Sequence, residues 1–269
     1  MRRILRVVLL TLVVAYVGLM VLALLSDRVI FQPHPSSYQL AELGVYRIPG
    51  LHTVMLPSGN AQIAAVYLPN PSARYTLLFS HGNAEDIGDD LPMLAEFRNA
   101  GFAVFAYDYR GYGVSTGRSS EKSVYEDVDA AYRYLTETLN VPPDRVISFG
   151  RSLGCAAAIQ LASTKKVAGL IVESPFLSAF RVLTRVRLLP WDRFDNAAKI
   201  RRVHCPVLVM HGRRDQVVPW WHGERIYALA NEPKQFLWVD AAGHNDVQLS
   251  SKYIPALTGY EAMLRTNSR

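Results

Sequence analysis

The sequence predicts an α/β fold: a mostly parallel sheet of eight strands flanked by helices, preceded by one membrane-spanning helix. Three observations predict it. Eight short runs rich in β-branched and aromatic residues recur along the chain. Helix-length segments separate most of them, the rhythm of a sheet layered between helices. A serine, an aspartate, a histidine and a glycine-containing loop each lie just past one of the runs, where parallel sheets gather reactive groups. With 269 residues, 50% hydrophobic and 19% charged, the chain can fill one large core and contains no block of disordered composition.

The first element is the N-terminal helix. Val7 to Leu25 is nineteen residues without a charge, and as a helix it is about 28 Å long, close to the hydrocarbon thickness of a bilayer. A cleaved signal has a shorter apolar core and ends in a small-x-small site, which Ala23-Leu24-Leu25 fits poorly. The segment is therefore read as an uncleaved anchor. Arg2, Arg3 and Arg6 precede it, while Asp27 and Arg28 cancel after it. The positive-inside rule then keeps the N-terminus cytoplasmic and places the body on the periplasmic or extracytoplasmic side. The expected division is an anchor at 1–30, a linker at 31–45 and a catalytic domain at 46–269. Within the linker, Phe31 to Tyr38 (FQPHPSSY) is proline-rich and reads as a short extended connection.

The strands follow. Thr53 to Leu56 and Ile63 to Leu68 are parted by the turn Pro57-Ser58-Gly59-Asn60. Tyr75 to Ser80, Phe102 to Tyr107, Val146 to Phe149, Leu170 to Val172, Val207 to Met210 and Phe236 to Val239 complete the eight. Glu121 to Leu139 reads as a helix with Val124, Val128, Ala131 and Leu135 along one face. Phe176 to His204 is a twenty-nine-residue connection with its own apolar residues, among them Phe176, Phe180, Leu183, Val186, Leu188 and Trp191, beside Arg181, Arg185 and Arg187. It is long enough for a couple of short helices and too short for a full cap.

Composition excludes several functions. Four of the basic residues and one aspartate lie within 1–30, a net of +3 out of the total +6, and no basic run is interleaved with aromatics. No nucleic-acid partner is expected. Cys155 and Cys205 have no metal-ligand neighbours at zinc spacing and read as core residues; no metal and no organic cofactor are implied.

The chemistry sits at four strand ends. Gly150-Arg151-Ser152-Leu153-Gly154 joins a strand to a small-residue helix, and its glycines suit a sharp turn that presents Ser152 as a nucleophile. His244, in the glycine-preceded loop Asp240-Ala241-Ala242-Gly243-His244-Asn245-Asp246, can swing toward a neighbouring strand end and serve as base. Asp215, a few residues past a strand, can accept the imidazole N–H and fix its tautomer, and is favoured over Glu173. Ser80-His81-Gly82-Asn83 supplies an oxyanion loop, with the main-chain N–H groups of Asn83 and Leu153 as donors. His81 reads as a structural hydrogen-bonding residue and Asp108 as loop-shaping. Phe176, Trp220 and Trp221 are candidate walls of an apolar groove for an acyl chain.

Together the strings SHGNAED, DYRGYGVSTG, GRSLG, ESPF, CPVLVMHGRRDQVVP and GHND resemble the α/β-hydrolase superfamily. More narrowly they resemble its small membrane-associated serine-hydrolase branch, which includes eukaryotic protein depalmitoylases and bacterial relatives. The resemblance covers about residue 50 to the C-terminus. It implies an α/β-hydrolase fold, with Ser152 as nucleophile, Asp215 as acid, His244 as base, and Asn83 and Leu153 at the oxyanion hole. At its front end this chain has an apolar span where the depalmitoylases carry a cysteine-rich lipidated segment. The expected activity is hydrolysis of an ester or thioester on an acylated small molecule, lipid or protein. A peptidase or amidase needs a carboxylate to hold a free amine, for which Glu173 or Asp86 could serve. A silent binding scaffold has no need of three reactive residues at separate strand ends.

Overall fold

The computed structural model describes residues 2–24, 26–39, 48, 50–186, 189 and 191–267. Its sheet comprises β1 (His52–Ser58), β2 (Ala61–Leu68), β3 (Thr76–Ser80), β4 (Ala103–Tyr107), β5 (Val146–Arg151), β6 (Gly169–Glu173), β7 (Val207–Gly212) and β8 (Lys234–Val239). They lie in the order β1-β2-β4-β3-β5-β6-β7-β8. β2 runs antiparallel to both β1 and β4, and all the other neighbours are parallel. The eight expected strands are all present, with ends shifted by at most two residues. Every residue of β3, β4, β5, β6 and β7 is buried, which is why their sequences read as continuous apolar runs.

Among the described residues the α-helices are α1 (Arg2–Leu24), α2 (Asp27–Ile30), α3 (Ile87–Asn99), α4 (Glu121–Arg133), α5 (Gly154–Thr164), α6 (Ala179–Thr184), α7 (Asn196–Lys199), α8 (Trp221–Leu229) and α9 (Tyr253–Asn267). Leu91, Leu94 and Phe97 of α3 pack with Leu257, Tyr260 and Leu264 of α9 on one sheet face. Val124 and Val128 of α4, Ile159 of α5 and Ile226 of α8 cover the other. The expected helix at 121–139 is capped at its start by Ser120, whose hydroxyl accepts from the Ser123 N–H. It closes in a wider π turn over Tyr134–Thr138, which carries Leu135 into the core. Among its described residues, the insert between β6 and β7 holds α6, α7 and the 3₁₀ turn Ile200–Arg202.

None of the described side chains of α1 over Arg3–Val21 is buried, and this stretch is long and apolar enough to cross a membrane. The expected end of the span at Leu25, the linker and domain boundary over 40–46, and Arg187 and Leu188 of the insert lie outside the described residues.

The segment after α1 differs from a free linker. Residues 31–38 form neither helix nor strand and bend at Pro35 and Ser37, and Phe31 and Tyr38 are buried in the body. Phe31 meets Phe194 edge-on at 6.0 Å, and the Tyr38 hydroxyl donates to Asp108. The residues that Phe31 and Tyr38 pack against or bond to, Phe194 and Asp108, lie far away in sequence.

Candidate active site

The turn that joins β5 to α5 at Ser152 is built by close backbone approach. β5 ends at Arg151 and α5 starts at Gly154, leaving two residues to reverse the chain. Ser152 takes φ +50, the left-handed region, which costs a non-glycine residue about 1–2 kcal/mol. Its N–H donates to the Glu173 carbonyl at 2.8 Å, which holds the strained residue against β6. A Cβ on Gly150 would stand 2.2 Å from the Gly154 carbonyl oxygen, and one on Gly154 would stand 1.9 Å from that of Ser80. Both glycines are therefore steric requirements. Gly154→Ala is expected to destabilise the domain by about 3 kcal/mol, since backbone rather than a movable side chain opposes the added methyl. Urea unfolding of the variant measures this, and an unchanged midpoint would contradict it.

The structure brings Ser152, His244 and Asp215 together. In the tautomer with its proton on Nδ1, His244 donates to Asp215 Oδ2 at 2.7 Å. Its Nε2 then accepts the Ser152 hydroxyl at 2.9 Å. Asp215 Oδ1 accepts the N–H groups of Val217 and Val218 at 2.9 and 2.8 Å. Burial opposes the charge of Asp215, yet the hydrogen bonds from His211 and His244 hold its carboxyl below the usual carboxylate range. Glu173, the rival acid, is buried with Oε2 accepting the Tyr253 hydroxyl at 2.5 Å.

His211 is a residue that motif reading missed. At the end of β7, its Nε2 lies 2.9 Å from the Val218 carbonyl and 3.1 Å from Asp215 Oδ2. It braces the loop that carries Asp215. A histidine inside the apolar run Val207-Leu208-Val209-Met210-His211 was the available signal.

The loop after β3 approaches Ser152 closely: a Cβ on Gly82 would lie 3.5 Å from Ser152 Cβ. Among the described residues, no protein acceptor takes the main-chain N–H of Asn83 or of Leu153. The Gly82 N–H donates to the Glu85 carboxylate. His81 is buried with Nδ1 2.7 Å from the Gly82 carbonyl, and burial pushes its pKa down to about 4. It is a neutral structural ring. Asp108 accepts from Tyr38 and from the Ile87 N–H at 2.9 Å, and burial raises it to about 7.

Arg151, the variable position of the elbow, was also missed. Its guanidinium lies 3.3 Å from Glu85, 3.5 Å from Asp90 and 3.9 Å from Glu173, and 3.4 Å from the Asn245 side chain. It thus ties the loop after β3, the Ser152 turn and the His244 loop together. One cation serves the buried carboxyls of Asp90 and Glu173 and the half-buried one of Glu85, and desolvation pushes all three above their ordinary range.

The groove candidates separate. The Phe176 ring is buried and packs edge-on to Phe194 at 6.4 Å, a core contact. Trp220 is half-buried between Trp238, 6.3 Å away, and the Arg213 guanidinium, 5.0 Å from its ring. Trp221 stacks on His222. In the insert, Leu177 is buried while Leu183 and Val186 are exposed.

Neither carboxylate considered for holding a substrate amine is placed to do so. Glu173 is enclosed as described, and Asp86 caps α3 by accepting from Gly88 and Asp89. His34, Asp86 and Asp89 offer ligand atoms within 4.8 Å of one another. The Asp86 oxygens accept from Ser37, Gly88 and Asp89, and His34 Nε2 lies 2.9 Å from Asp89 Oδ2.

A family model described as serine aminopeptidase, S33, matches residues 71–194. The chain is 41% identical over 198 residues to alpha/beta hydrolase domain-containing protein aho-3 of Caenorhabditis elegans, covering 71% of this chain and 59% of that protein. It is 39% identical over 203 residues to alpha/beta hydrolase domain-containing protein 17B of Xenopus laevis, covering 73% of this chain and 69% of that protein. The match thus spans about three fifths of the length of the first of these relatives. Among solved structures, an esterase of Pyrococcus furiosus superposes with a TM-score of 0.70 at 17% identity, over 87% of this chain and 96% of that one.

Proposed function

This chain belongs to the α/β-hydrolase superfamily, and on that premise we propose that it is a serine hydrolase cleaving carboxylic esters or thioesters of acyl chains. The observation that carries the proposal is the unbroken hydrogen-bonded line from Ser152 through His244 to Asp215. In this reading Ser152 Oγ attacks the acyl carbonyl while His244 Nε2 takes its proton. Asp215 stabilises the imidazolium, and the N–H groups of Asn83 and Leu153 receive the oxyanion. Collapse of the tetrahedral intermediate expels the alcohol or thiol, which leaves with the proton from Nε2. Water then repeats the sequence on the acyl-enzyme.

The same reading makes α1 a signal anchor, with its N-terminus cytoplasmic and the catalytic body on the extracytoplasmic side. Ile30 follows the last residue of α1 by six positions, a chain reach of at most about 20 Å. Ile30 is hydrogen-bonded to the oxyanion loop, so the reaction centre lies close to the bilayer surface. Acylated lipids or proteins held there are the substrates this arrangement favours. The acyl chain runs along the insert that begins at Phe176 and toward Trp220, and each methylene it buries adds about 0.8 kcal/mol.

The test is kcat/KM across p-nitrophenyl esters from acetate to laurate, beside aminoacyl-anilides. A rise of up to about fourfold per methylene is expected. The family model's description names a serine aminopeptidase, which favours a second reading as a peptidase. Faster anilide cleavage, or a steady fall with chain length, would establish that reading instead.

A further inference from the structure

The juxtamembrane segment is wired into the oxyanion loop at three successive points. The Asn83 side chain donates from Nδ2 to the Ile30 carbonyl at 2.7 Å. Its Oδ1 accepts the Gln32 N–H at 3.1 Å and the Tyr112 hydroxyl at 2.5 Å. Three residues on, Asp86 accepts the Ser37 N–H at 2.8 Å and its hydroxyl. Asp89 then meets His34 Nε2 at 2.9 Å. The approach is so close that a Cβ on Gly88 would lie 2.3 Å from Ser37 Oγ. Phe31 and Tyr38 pin the two ends into the body.

We propose that residues 26–38 form a strap that positions the oxyanion hole, with the Asn83 side chain as the positioning residue through which it acts. The inference rests on Ser152 being the nucleophile. Asn83 contributes its main-chain N–H to the reaction and its side chain to the strap, so one residue joins the two. The next residue, Ala84, has φ +55, a conformation an alanine does not hold without external support. Glu85 and Asp86 support the loop from behind; among the described residues, the side-chain partners of Asn83 are Ile30, Gln32 and Tyr112. Tyr112 Oη itself accepts from the Gln32 N–H at 3.2 Å. Oxyanion donors act only when aimed at the position where charge develops, and small misplacements are costly. The enzyme's membrane-proximal chain is then part of its catalytic geometry, and an anchor that pulls the strap away switches the hole off.

Asn83→Ala keeps the main-chain N–H and deletes the clamp. In the full chain in detergent micelles, kcat for p-nitrophenyl esters is expected to fall about 100-fold with KM within about twofold. Phe31→Ala, which loosens the strap without touching the loop, should lower kcat with the same signature. The double variant should lose no more than Asn83→Ala alone. A role in packing alone predicts lower melting temperatures with kcat preserved, or losses that multiply, and either overturns the proposal. If Phe31→Ala does not fold, the kcat and KM of Asn83→Ala decide. Ser152→Ala, run in parallel, separates the two ideas: activity surviving there removes the nucleophile, whereas an inactive Ser152→Ala beside a fully active Asn83→Ala removes only the strap.

Discussion

Ser152→Ala is expected to lower ester turnover by about 10⁶-fold, the loss seen when a triad nucleophile is removed. The hydroxyl lies 2.9 Å from His244 Nε2, in hydrogen-bonding position. The side chain is partly buried, and its backbone is held by the Glu173 carbonyl and the two glycines. Truncation to alanine leaves these supports untouched. Folding should therefore be preserved, and an alanine in the left-handed region loses no side-chain hydrogen bond that the fold needs. Circular dichroism and melting temperature beside steady-state rates separate a chemical loss from a structural one. Residual activity above about one thousandth of wild type would show that another nucleophile works.

Asp215→Asn is expected to cost about 10⁴-fold in kcat with little change in melting temperature. The reason is directional. Asp215 Oδ1 is held by the N–H groups of Val217 and Val218, so an asparagine keeps its carbonyl oxygen there. Its NH₂ group then faces His244 Nδ1, which must accept instead of donate. The imidazole proton moves to Nε2, and Nε2 can no longer take the proton of Ser152. The neighbouring His211 Nε2–H keeps its bond to the Val218 carbonyl, which preserves the loop. A loss below about tenfold would mean that Asp215 does not set the tautomer.

The parts of this molecule that read plainly from sequence are those whose signal is local. Strands buried on both faces produce uninterrupted apolar runs, and β3 to β7 were recognisable for that reason. Gly150 and Gly154 are forced by backbone contact on either side of Ser152, so the elbow announces itself within five residues. His244 and Asp215 became legible through their order and their positions past strand ends. Long-range polar wiring left no such trace. Gln32 bonds to Asn83 and Tyr112 across 51 and 80 residues, and nothing in FQPHPSSY distinguishes a docked strap from a loose linker. Arg151 likewise draws its meaning from Glu85, Asp90, Glu173 and Asn245, which three separate segments deliver. Apolar residues of the insert pose a different problem. Phe176 and Leu183 look equivalent as letters, yet one is buried against Phe194 and the other faces solvent.

Reaction of the full chain with a fluorophosphonate, followed by peptide mass spectrometry, tests directly whether the line of hydrogen bonds makes Ser152 a nucleophile. Phosphonylation needs the hydroxyl, the base and the oxyanion donors together, and needs no knowledge of the natural substrate. A single adduct on the peptide containing Ser152, absent from Ser152→Ala and slowed in Asp215→Asn, is the predicted result. An adduct on another residue, or equal labelling of Ser152→Ala, would contradict it.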